Sequence, residues 1–88
     1  MKKYEEIIER CKAADKRYWA GDNIARLLQD GDKEQLIEEA TEAFENVLDT
    51  LIIDRHTDPN SRGTARRLAK MYFNEIMAGR YDYRPDAT

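Results

Sequence analysis

The sequence predicts an all-α fold, and three observations carry that prediction. Apolar residues recur at three- and four-residue intervals through most of the chain, strand-like alternation is missing, and glycines or turn-rich clusters separate the periodic stretches. Together they predict a helical hairpin, with arms over about 33–53 and 64–78, preceded by one or two additional helices.

Tyr4, Ile7, Ile8, Cys11, Ala14 and Tyr18 define an amphipathic helix over residues 3–19, with Gly21 as its stop. Asp22 is placed to cap a short second helix bearing Ile24, Leu27 and Leu28, which Gly31 ends. Residues 1–31 therefore read as an N-terminal helical extension. Asp32 begins the next helix, with Gln35 at the offset of a capping box. Its apolar stripe runs from Leu36 and Ile37 through Phe44 to Leu51 and Ile52, wide enough to face two neighbours. Burying one Leu-, Ile- or Phe-sized side chain contributes roughly 1.5–3 kcal/mol, so this helix is expected to be the spine of the domain.

The segment DRHTDPNSRG, residues 54–63, reads as a loop, with Pro59 and Gly63 as breakers. Thr64 reads as the N-cap of the last helix, whose apolar positions are Leu68, Ala69, Tyr72, Phe73 and Ile76 and whose stop is Gly79. The hairpin unit thus spans 32–79, and 80–88 is a linker or tail with no periodicity of its own. Its expected core joins Phe44, Leu48 and Leu51 with Leu68, Tyr72 and Ile76.

At 88 residues the chain is one domain at most, with a modest core. Its net charge of −3 is unevenly divided, at −5 over residues 1–53 and +2 over residues 54–88. That balance argues against nucleic acid as the main partner, because phosphate contacts need a clear basic excess. No apolar run approaches the length of a membrane span, and MKKYEEIIER places acids where a signal peptide needs an apolar stretch. The single cysteine, Cys11, cannot form an internal disulfide, so a cytoplasmic location is expected.

Candidate chemistry is sparse. His56 lies between Asp54 and Asp58, but zinc wants three or four N or S ligands, and an EF-hand loop from Asp54 would need a glycine and a glutamate that are not at the required offsets. A solvated turn is the better reading of that loop. Cys11 falls on the apolar stripe of the first helix, which reads as a buried thiol rather than a nucleophile. Phosphate-loop, nucleophile-elbow and HExxH patterns do not occur. The cluster Arg62, Arg66, Arg67 and Lys70 places Arg66 and Lys70 on one helix face, where they can meet an anion or complement the helix before them, which carries −6 over Asp32–Ile53. Such charge runs are usually solvated faces, and a structural or interface role is favoured.

Thr64-Ala65-Arg66-Arg67-Leu68-Ala69-Lys70-Met71-Tyr72, followed by Glu75-Ile76-Met77-Ala78-Gly79 and Tyr81-Asp82-Tyr83, resembles the N-terminal helical region of GTP cyclohydrolase I. The preceding Asp58-Pro59 and Arg62-Gly63 look like a shortened form of that family's loop, and the resemblance covers about residues 36–83. Ala65 stands where the family usually has proline, and Gly63 where an acidic residue is common; both suit a helix start. The family's enzyme opens the imidazole ring of GTP and yields dihydroneopterin triphosphate, using zinc held by two cysteines and a histidine. The resemblance implies that these ligands belong to a catalytic domain beginning just after Tyr83, so that this chain supplies no catalytic residue, cofactor site or metal ligand.

The resemblance therefore implies a noncatalytic helical module serving folding or assembly of a toroidal oligomer, with a cyclohydrolase-type catalytic domain as its partner in cis or in trans. Arg66, Lys70, Tyr81 and Tyr83 are the expected interface residues, with homo-oligomer formation as a further expectation. A free-standing helical adaptor or inhibitor is the alternative. A small nucleic-acid binder using Arg62 to Lys70 is weaker still. The two leading readings separate on whether a cyclohydrolase catalytic domain is encoded with the chain.

Overall fold

A computed structural model describes residues 1–82, all of whose regular structure is helical. Helix α1 spans Lys3–Ala13, α2 spans Asp32–Thr50, α3 spans Thr64–Met71 and α4 spans Ala78–Tyr81. A 3₁₀ turn at Ala25–Leu27 lies between α1 and α2, and a π-helical turn at Tyr72–Ile76 separates α3 from α4. The most extensive contact between helices is that of α2 with α3, which is the hairpin, and α1 packs against the first half of α2.

Helix α1 is six residues shorter than its apolar spacing predicts, and Gly21 is not its stop. Asp15 adopts φ +53, the Lys16 N–H donates to the Cys11 carbonyl at 2.8 Å, and the Asp15 N–H donates to the Lys12 carbonyl at 3.1 Å. This closes the helix in a Schellman motif in which a short polar side chain tolerates the left-handed position that glycine usually fills. Asp22 caps no helix. Its carboxylate instead accepts both Arg17 Nε at 2.9 Å and the Trp19 N–H at 2.8 Å, while Asn23 Oδ1 receives the Ala25 N–H at 2.8 Å and starts the 3₁₀ turn.

The N-termini of α2 and α3 also depart from the sequence expectation. Gly31 and Gly63 are the N-cap residues, at φ +86 and φ +76, so the helices begin at Asp32 and Thr64 without a side-chain cap. A residue lacking Cβ is what a left-handed entry requires. Thr64 points its hydroxyl back to the Asn60 carbonyl at 3.3 Å, and Asp32 turns its carboxylate toward α1.

The second arm does not run unbroken to residue 78. The Met77 N–H donates to the Tyr72 carbonyl at 2.9 Å, a five-residue step that inserts extra chain into the turn. Phe73 follows the buried Ala65 and Ala69 at four-residue steps and packs against the core, while Tyr72 and Ile76 are 41% and 57% exposed. Leu51 is likewise 63% exposed, so the expected hairpin core is corrected at three of its positions. Ile37 and Leu48 of α2, with Ala65 and Ala69 of α3, are the buried residues of the hairpin helices away from α1. Small side chains on α3 let the two backbones run close. The second part of the core is Ile7 and Cys11 of α1 with Ile24 and Leu36, against which Phe73 and Tyr81 pack. The first 31 residues are therefore integral to the core.

Candidate protein interface

Two polar devices fasten the N-terminal segment to the hairpin. Asp32 is 3% exposed and receives Arg10 Nη1 at 2.6 Å, Lys3 Nζ at 3.3 Å and the Gln29 N–H at 2.8 Å. The Arg10 hydrogen bond does most to hold the Asp32 carboxyl down, at about 2, against the opposing effect of burial. Nearby, Glu39 accepts the Lys3 and Tyr4 N–H groups at 2.6 and 3.1 Å, satisfying donors at the start of α1 that no helical carbonyl can reach.

The second device lies at the C-terminal end of the described chain. Arg80 donates from Nη1 to the carbonyls of Trp19 and Asp22, the latter at 3.0 Å, and from Nη2 to the Tyr18 carbonyl at 3.0 Å. Asn23 Nδ2 returns two bonds, to the Gly79 carbonyl at 2.7 Å and the Asp82 carbonyl at 3.0 Å. The Ile24 N–H donates to the Arg80 carbonyl at 2.7 Å, and Lys33 Nζ holds the Asp82 carboxylate at 2.9 Å. The path of residues 77–82 is thus set by the loop after α1 and by the first turn of α2.

The sequence-predicted interface residues fall in two places. Arg66 and Lys70 are exposed on α3, and among the described residues neither has a carboxylate within ion-pair distance. The expectation that this cluster would complement α2 along the rim is therefore corrected. The cation that meets the acids of α2 is Arg55 from the loop, with Nε 2.9 Å from Asp49 and Nη1 3.4 Å from Glu45. Arg67 donates to its own Thr64 hydroxyl at 3.2 Å, and Arg62 reaches the His56 carbonyl. Tyr81 belongs to helix α4 rather than to an extended tail, and its half-buried ring meets Phe73 with centroids 4.5 Å apart. Tyr83 lies outside the described residues.

The loop after α2 uses its carboxylates to hold itself. Asp54 accepts the Thr57 hydroxyl at 2.6 Å and the His56 N–H at 3.2 Å; Asp58 accepts the Ser61 hydroxyl at 2.7 Å and the Asn60 N–H at 2.9 Å. Both carboxyls are shifted below their ordinary value, foremost by those hydroxyls. Cys11 is 1% exposed inside the α1 core whereas His56 is exposed in this loop, so the described residues do not bring together a soft ligand set that fits zinc. No helix among the described residues is long and apolar enough to cross a membrane.

Sequence reasoning missed Arg10, Asp32 and Arg80, which do the most to join the segments. Asp32 resembled a cap, and nothing in the spacing tied it to a cation 22 positions earlier. The aromatic-flanked Arg80 looked like part of a tail. No protein-family model matches this chain, and neither a characterised protein nor a solved structure does.

Proposed function

We propose that the chain is a noncatalytic N-terminal helical module of a GTP cyclohydrolase I-like enzyme, acting in the cytoplasm in folding or oligomer assembly. The parent reaction converts GTP and water to dihydroneopterin triphosphate and formate, and its zinc belongs to the catalytic domain, not to this module. The motif from Thr64 to Tyr83 supports the family. The observation that carries the role is the clasp around Arg80, because three carbonyls of the 18–22 loop and the two bonds from Asn23 fix the direction in which the chain leaves at Asp82. A module that has to hold a catalytic domain in one orientation needs such a fixed exit.

Arg66 and Lys70, which have no carboxylate within ion-pair distance among the described residues, act in this reading as charges that orient the approach of an acidic surface on the catalytic domain, which raises association rate more than affinity. Tyr81 contributes its exposed edge, and Tyr83 lies in the segment leading into that domain. Mixing the 88-residue chain with a separately produced GTP cyclohydrolase I catalytic domain should give a complex by co-elution and calorimetry. Its association should slow with added salt and with Arg66→Glu and Lys70→Glu together. Absence of a complex, together with unchanged assembly and activity when the two parts are fused, would sink the proposal.

The exposed apolar side chains at the C-terminal end of α2, Val47, Leu51 and Ile52, favour a second reading, a free-standing adaptor or inhibitor that binds another protein. Capture of an unrelated protein but not of the catalytic domain would select it.

A further inference from the structure

Between α1 and the segment from Phe73 to Tyr81 lies a cleft of about 210 Å³, close to the volume of seven waters in bulk liquid. Its floor is the core around α1, formed by the buried Ile7, Cys11, Ile24 and Leu36. Phe73, Tyr4, Tyr18 and Tyr81 add aromatic lining. Among the described residues that line the cleft, Arg80 is the single charged one.

Arg80 brings a positive charge that the surrounding chain does not cancel. Asp22, whose carbonyl it contacts, gives its carboxylate to Arg17 at 2.8 Å, and Asp82 gives its own to Lys33 at 2.9 Å. Among the described residues no carboxylate lies within ion-pair distance of Arg80.

The hydrogen bonds of Arg80 also leave a specific pair of donors over. A guanidinium has five N–H groups. The carbonyls of Trp19, Asp22 and Tyr18 take three of them, two on Nη1 and one on Nη2. The Nε hydrogen and the second Nη2 hydrogen have no acceptor among the described residues. These are the two nitrogens with which Arg17 grips the Asp22 carboxylate, at 2.9 Å from Nε and 2.8 Å from Nη2. Because the three carbonyls already hold Arg80 in place, little ordering remains to be done when an anion binds.

We propose that the cleft binds a small carboxylic acid with an apolar body, its carboxylate on the Nε and Nη2 donors of Arg80 and its body against Leu36 and Phe73. An apolar concavity with a few fixed polar groups is the usual form of a small-molecule site. Charge sets the orientation. The groove beyond Tyr4, Leu36 and Phe73 is lined by Lys2, Glu39 and Glu42, a net of −1, which turns a carboxylate back toward Arg80. The volume limits the ligand to about ten non-hydrogen atoms. A bound acid joins α1, the loop after it and the segment 73–81, and so stabilises the folded chain. The site needs only residues 4–81 and stands apart from any cyclohydrolase partner.

Titration of phenylacetate into the isotope-labelled 88-residue chain, followed by NMR, tests it. Saturable shifts of the Ile24 and Leu36 amides and of the Arg80 Nε–H are expected at millimolar concentration or below. Phenylacetamide, of the same size and uncharged, should bind more weakly by about tenfold or more. Ile8→Trp, at the half-buried rim, should fill the cleft and abolish binding with the circular dichroism unchanged. Arg66→Glu, on the far surface of α3, should leave binding intact. A chain without saturable shifts in the millimolar range overturns the proposal, as does equal affinity for the amide. Binding that survives Ile8→Trp in a folded chain, or that is lost on Arg66→Glu, overturns it too. The comparison of acid with amide uses the unaltered chain, so it decides the matter even where Ile8→Trp fails to fold.

Discussion

Arg10 Nη1 lies 2.6 Å from Asp32 Oδ2, joining the inner face of α1 to the first residue of α2 across 22 positions of sequence. The same nitrogen lies 2.9 Å from the Leu27 carbonyl, so one guanidinium links three segments. Removing the carboxylate charge leaves Arg10 and Lys3 without their buried counter-charge. Asp32→Asn should cost roughly 3 kcal/mol, the low end for a buried pair because Arg10 keeps 26% of its side chain exposed. Urea unfolding of the variant and the wild-type chain measures this directly.

The same carboxylate sets an acid limit on stability. Its folded value, about 2, lies below the ordinary 3.8, so the unfolded chain takes up the proton first as pH falls. The contribution of the contact is complete above about pH 4 and disappears as pH drops through about 2. Wild-type stability should decline over this window, and Asp32→Asn should decline less. Parallel curves for the two proteins would remove Asp32 from the account.

Left-handed backbone makes opposite predictions at two helix ends. Gly63→Ala places a Cβ in adequate space, 3.8 Å from Arg67 Nη1, but on a backbone at φ +76, and should cost about 1 kcal/mol. Ile52→Gly relieves a β-branched residue of φ +61 and should stabilise the monomer by about 1 kcal/mol, a rise of about 4–8 °C for a domain of this size. Thermal melts at low concentration give both signs in one experiment.

Leu48 lies in the last turn of α2 and Leu51 is its C-cap, and the two should respond differently to truncation. Leu48 is 8% exposed, and Leu48→Ala should cost roughly 2–5 kcal/mol. Leu51 is 63% exposed, and Leu51→Ala should change the stability of the dilute monomer by no more than about 0.5 kcal/mol. Equal losses would restore Leu51 to the core.

Arg80→Ala should free the 14–24 loop without unfolding the hairpin. Trp19, the single tryptophan, lies in that loop with the Arg17 guanidinium 4.1 Å over its ring, and reports on it. Its fluorescence anisotropy should fall and exchange of the Ile24 amide, bonded to the Arg80 carbonyl, should quicken. Amides of Leu48 and Ala69 should keep their protection.

The sequence by itself determined that the chain is all-α, that α2 is its longest helix, and that a turn-rich loop lies between α2 and α3. Those properties arise from local periodicity and from turn residues, which act within a few positions of one another. Helix ends were less legible because Asp15 and Ile52 adopt a left-handed conformation that composition assigns to glycine. Only the tertiary structure decided which apolar residues are covered. Tyr72 and Phe73 are adjacent apolar residues, and it is the packing of α3 that covers Phe73, in line with Ala65 and Ala69, and leaves Tyr72 41% exposed. The bonds of Asp32 to Arg10 and of Arg80 to the loop after α1 were likewise beyond the sequence, since each joins groups 22 or more positions apart. Their energy depends on burial and on distances of about 3 Å that exist only once the chain has closed on itself.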